Sequence, residues 1–194
     1  MKWTGSQSVW QRLETPRWRP DRYVKRLLDQ TSRVQHWLAA TLSVWLIATS
    51  PWISMRRIVP ENPTFWDWTH IVVGLALVVI GIAYLATNFI DGRWREQFPW
   101  AAGNLSEVHS DLKAIGKLKV PSAGGAGLFS LIQGLLLVML LATALTGFGW
   151  LVADGSRAAL AWREWHMLVA NVFAWLLVLH VAASALHLLD FLRD

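Results

Sequence analysis

Six histidines in a chain of 194 residues that contains no cysteine are the side chains best placed to do chemistry. Without cysteine there are no disulfides, iron–sulfur clusters or thiolate sites, so imidazole, carboxylate or thioether must hold any metal. Five of the histidines, His36, His70, His166, His180 and His187, lie within or at the ends of apolar stretches, and His109 lies in a polar segment where it reads as solvated. One histidine in an apolar helix often does no more than hydrogen-bond a neighbouring helix, but ionisable groups inside a membrane are costly, and five of them ask for a common cause.

Spacing supplies that cause. His166 and His180 are fourteen residues apart, which on a helix is a rise of about 21 Å and close to four whole turns, so the two rings share a face. His36 falls about one turn inside one membrane face and His70 just inside the other. Two levels result, an outer one of His70 with His166 and an inner one of His36 with His180. Two imidazoles at one depth suit the axial positions of a low-spin haem iron, which closes the metal to oxygen and favours electron transfer. Zinc or copper would ask for a third or fourth ligand, and neither level has an acidic one in the apolar region. His187, seven residues beyond His180, could also pair with His36 by depth. It would stand about 31 Å from His166 and push a haem into the headgroup layer, so His180 is preferred. Gly74, Ala182 and Ala183 are small enough to let a flat macrocycle approach, although such residues also serve plain helix packing.

The elements that must carry these residues are helices in lipid. The chain is 54% hydrophobic and only 16% charged, where a soluble domain would have about a quarter charged residues. Four stretches have the length of a spanning helix: about Val34 to Met55, Trp68 to Ile90, Gly127 to Val152 and Trp165 to Leu189. The expected fold is an all-α membrane protein, a four-helix transmembrane bundle over residues 34–194, preceded by a basic cytoplasmic arm over residues 1–33. The arm has no apolar h-region, so no cleaved signal peptide is expected, and it is suited to lie on the membrane surface or dock a partner. Fourteen of the eighteen lysines and arginines fall in the arm, in the connection from Asp91 to Ala126 and at the C-terminus. Only Arg56, Arg57, Arg157 and Arg163 serve the other two loops, which places both termini in the cytoplasm. Trp52, Trp66, Trp68, Trp150, Trp162 and Trp165 gather at the expected outer boundary. Within the long connection, Leu105 to Leu118 is expected as a short interfacial helix. The net charge of +5 is accounted for by this orientation, so no nucleic-acid partner is expected.

The run Arg33, Val34, Gln35, His36 and Trp37 at the start of the first span resembles the opening of the bacterial cytochrome b561 family and of the related cytochrome b subunits of nickel-iron hydrogenases and formate dehydrogenases. The last span, from Trp165, His166, Ala170 and Asn171 through His180 to His187, is similar to that family's last helix. The resemblance implies two b-type haems with iron ligands at His36, His70, His166 and His180, with Arg33 and His187 as further cofactor-binding candidates. It implies transmembrane electron transfer in the bacterial cytoplasmic (inner) membrane between quinone and a periplasmic or membrane redox protein, a cytochrome c or a catalytic subunit. In the superoxide oxidase branch the donor is superoxide and the last histidine lies near the quinone, which makes His187 the candidate for quinone or propionate contact. Members often carry an arginine late in the second span; here Tyr84 and Asn88 stand there and the next arginine is Arg93. Three alternatives stay open: a superoxide:quinone oxidoreductase using the four outer-loop arginines as a cationic funnel, a haem-bearing structural subunit of a larger respiratory complex, and a haem-free channel or transporter.

Overall fold

The computed structural model describes residues 21–103, 105–117 and 127–193, the last stretch with its side chains as far as Ala185. Helix α1 (Arg22–Thr49) begins at Asp21, whose carboxylate accepts from the Val24 N–H at 2.8 Å, an N-cap that satisfies one of the four open amides of a first turn. It begins well before the expected span, so Arg22 to Arg33 of the basic arm are helical and continuous with it; residues 1–20 of the arm lie outside the described residues. Pro51 stops α1, and a single 3-10 turn, Ser50–Trp52, follows.

Helix α2 (Phe65–Asp91) opens with a capping box in which Asp67 and Thr64 satisfy each other's backbone amides, and closes on Gly92 in the left-handed region at φ 80°. Asp67 is fully buried and also accepts from the Ser54 N–H at 2.8 Å and the Ser54 hydroxyl at 2.7 Å. One carboxylate thus ties the loop after α1 to the start of α2. Among the described residues three short helices follow, α3 (Trp94–Gln97), α4 (Pro99–Ala102) and α5 (Ser106–Ile115); α5 is the helix expected between Leu105 and Leu118. Helix α6 (Leu128–Val152) has its first amide, Leu128 N–H, capped by Asp111 of α5 at 2.8 Å. Helix α7 (Ala158–Arg193) ends the described chain.

Among the described residues, three helices are long and apolar enough to cross a membrane: Phe65–Asp91, Leu128–Val152 and Ala158–Ala185. The first of the four expected spans is a helix of 28 residues but does not reach that hydropathy, because Arg33, Gln35 and His36 interrupt its apolar half. The long helices pack in chain order, α1 on α2, α2 on α6 and α6 on α7. Leu77, Tyr84, Ile132, Leu136, Leu137, Leu140 and Phe173 form the core between them. Their outer faces are apolar, with Val44, Val79, Val152 and Trp175 all largely exposed, a surface that lipid covers at no cost and water does not.

Two sets of contacts join the ends. The loop after α1 is stitched to the α6–α7 turn, the Trp150 indole N–H donating to the Arg56 carbonyl at 2.9 Å and the Val59 N–H to Asp154 at 2.9 Å. At the opposite end, α3 packs against α6, where a Cβ at Gly134 would collide with the Gln97 carbonyl. Gln97 is buried. This part of the long connection is therefore folded into the helices rather than lying free beyond them.

Candidate functional site

Helix α7 packs along α6 and stands off from α1 and α2, and its histidines meet those of α1 and α2 across the intervening space. His70 of α2 and His166 of α7 have ring centroids 6.1 Å apart with planes at 85°. His36 of α1 and His180 of α7 have centroids 6.4 Å apart with planes at 66°. Helical periodicity places the four rings at two depths, and folding brings them together as two pairs, one toward each end of the helices.

Each pair has its own surroundings. The His166 Nδ1–H donates to the Thr143 carbonyl at 2.9 Å, with the Thr146 hydroxyl at 3.5 Å, a hydrogen bond that fixes the ring and leaves Nε2 as the basic nitrogen. Gly147 permits this: a Cβ there would lie 3.1 Å from His166 Cε1. Across from it, His70 Nδ1 is buried without a hydrogen-bond partner among the described residues, as is His180 Nδ1 in the other pair. His36 is flanked by the Tyr84 ring at 6.3 Å, and His180 stacks on Phe129 at 5.1 Å. Tyr84 belongs to a buried polar cluster with Ser32, Asn88 and Gln97. Arg93 closes that end, paired with Asp91 at 2.5 Å and reaching toward Asp29 at 3.9 Å.

Beside the His70–His166 pair lies a cavity of about 610 Å³ whose walls come from α1, α2, α6 and α7, within the size range of cofactor pockets. Its lining is apolar apart from a few groups, among them Ser43, Ser50, Thr143, Asn171 and Arg163 with the two histidines. Gly74 borders it, and a Cβ there would meet nothing within 4 Å. The donor set suits an iron macrocycle. A metal bound at about 2 Å to each of two opposed imidazoles holds their centroids roughly 6 Å apart, close to both observed separations. Among the described residues no group of three or more His, Cys, Asp or Glu side chains gathers as a metal cluster, and the four histidines meet in twos.

The other sequence candidates are placed differently. Arg33 sits one turn before His36 on α1 and is exposed. His187 lies on α7, but its side chain is outside the described residues. His109 is exposed on α5, its Nδ1 3.0 Å from the Leu105 carbonyl. Sequence reasoning missed the Thr143 carbonyl, Gly147, the stacking of Phe129 and the place of Arg163 at the cavity. Only Arg163 carried a signal, its position three residues before His166; the others depend on how α6 docks against α7.

Residues 28–190 match the family model described as prokaryotic cytochrome b561. No curated protein and no solved structure matches the chain.

Proposed function

The chain belongs to the prokaryotic cytochrome b561 family of membrane b-type cytochromes, and from that premise we propose that it is a dihaem protein moving electrons across the bacterial inner membrane between quinone and a partner redox protein. The observation that carries this reading is the meeting of four histidines in two pairs, at 6.1 and 6.4 Å, on helices that otherwise stand apart. His70 with His166, and His36 with His180, are the residues that would hold the two haem irons. Haem b, when bound, supplies a one-electron couple at each level.

The chain's own residues do the rest. Thr143 orients His166 through its carbonyl, and the apolar walls around His70 and His166 exclude water from the ligand bonds. The fourteen residues between His166 and His180 set the two levels about 21 Å apart along α7, so that together they bridge most of the hydrocarbon thickness of ~30 Å. Helix α1 serves as the fourth span of a four-helix bundle, with Val34, Trp37, Leu38, Val44 and Trp45 turned outward and exposed in the manner of the lipid-facing residues of α2. Both termini face the cytoplasm by the distribution of lysine and arginine. Arg33, exposed beside His36, is suited to meet an anionic edge of the inner cofactor or a lipid headgroup. His187 is proposed to contact quinone on the cytoplasmic side.

The experiment is a reduced-minus-oxidised visible spectrum with pyridine-haemochrome quantitation on the purified protein. Two b-type haems per chain are expected. None would end the reading, and one would reduce it to a single level.

A further inference from the structure

We propose that Arg163 is the cation that anchors a carboxylate on the rim of the haem held between His70 and His166. This inference rests on the haem reading above and goes beyond it to a residue whose role is neither ligation nor partner docking.

Arg163 precedes His166 by three residues on α7, so the two side chains rise from neighbouring positions on one helix face. Both line the cavity of about 610 Å³. The four arginines at this end of the helices are not alike in this respect. Arg56, Arg57 and Arg157 are exposed, whereas Arg163 is half-buried and forms part of the cavity wall. Ile53, Met55 and Trp150 line the same cavity. Among the described residues Arg163 makes no ion pair; the pairs present are those of Arg93 with Asp91 and Asp29.

A guanidinium against apolar walls loses hydration that only an anion or several acceptors can replace. Its planar fork matches a carboxylate through two parallel N–H···O bonds. Haem b carries two carboxylates on one edge of its ring. Arg163 lies on the Ala158 side of His166, toward the α6–α7 turn, which is where a charged rim would emerge from the apolar interior. A fixed positive charge beside that rim offsets the carboxylate and favours the reduced state of this haem over the oxidised one.

The test compares purified wild-type, Arg163→Gln and Arg163→Lys proteins, each carrying haem labelled with ¹³C in its carboxylates, by redox titration and redox-difference infrared spectroscopy. In Arg163→Gln both haems are expected to remain. The haem that depends on His70 should become about tenfold harder to reduce, a fall of about 59 mV, while the other haem stays put. The labelled carboxylate bands should shift, and Arg163→Lys should recover most of the potential. Unmoved carboxylate bands would overturn the proposal and assign the arginine to another anion such as a lipid phosphate. An equal fall at both haems would overturn it in favour of a general surface field. If Arg163→Gln does not accumulate, the lysine variant decides: shifted bands with the charge kept support the contact, and unmoved bands refute it. Wild-type protein without haem would instead remove the reading on which the proposal rests.

Discussion

At the scale of single residues, the two histidine pairs divide the protein's proposed chemistry cleanly. A lone imidazole cannot hold bis-histidine geometry, so His70→Ala and His166→Ala should abolish the same haem, and His36→Ala and His180→Ala the other. Low-temperature spectra and haem counts on the four variants check this. Loss of the same haem from His36→Ala and His166→Ala would contradict the observed pairing at 6.4 and 6.1 Å. His187 is expected to behave differently, because it lies seven residues beyond His180, about two turns nearer the helix end. The His187→Ala protein should keep both haems with nearly unchanged spectra, while reoxidation by a quinone analogue slows about tenfold, near 1.4 kcal/mol of barrier. A lost haem in that variant would make His187 a ligand in place of His180.

At the scale of elements, the start of α2 shows how a polar group in an apolar protein becomes structural. Asp67 is fully buried and accepts from both the backbone and the side chain of Ser54 and of Thr64. It stands three residues before His70 on the same helix, so whatever fixes the first turn of α2 also fixes the depth of that ring. Asp67→Ala leaves four donors without this acceptor. The expected cost is about 1–3 kcal/mol in thermal stability in detergent, with partial recovery in Asp67→Asn, which keeps one carbonyl oxygen. Equal stability of the alanine variant and wild type would mean that water replaces the carboxylate and that the first turn does not depend on it.

At the scale of the whole molecule, the loops sort themselves into two ends. The α1–α2 loop and the α6–α7 turn are bound to each other through Trp150 and Asp154, and this end of the molecule carries only four of the eighteen lysines and arginines, Arg56, Arg57 and Arg157 in the loops and Arg163 near the start of α7. Reporter fusions at the C-terminus and near His109 should therefore report the cytoplasm, and a fusion near Asp154 the periplasm. A cytoplasmic Asp154 would invert the protein and exchange the outer and inner levels. The same experiment tests α1 as a span. If α1 does not cross, a fusion just before Asp21 and one in the loop after Trp52 will report the same side.

Much of this protein follows from local rules that act along one helix at a time. A 3.6-residue period and a fixed rise convert the fourteen residues from His166 to His180 into one face and two depths without knowledge of any neighbour. Long apolar runs likewise settle that the chain is helical and made for lipid, and the histidine-bearing runs at the two ends already resembled the family to which the chain belongs. The histidine partners could be paired by depth for the same reason. Helix ends were less legible: α1 starts at Arg22 because Asp21 caps it there, a local hydrogen bond that hydropathy does not register. What tertiary structure alone decided is what depends on two helices meeting at a particular rotation. The Thr143 carbonyl reaches His166 only because Gly147 lets that ring lie against α6. The connection after α2 folds against Gly134 rather than remaining a surface loop, because a glycine there leaves room for the Gln97 backbone. Arg163, one of four similar arginines in the sequence, lines the cavity because the rotation of α7 that carries His166 to His70 carries its neighbour on that face as well.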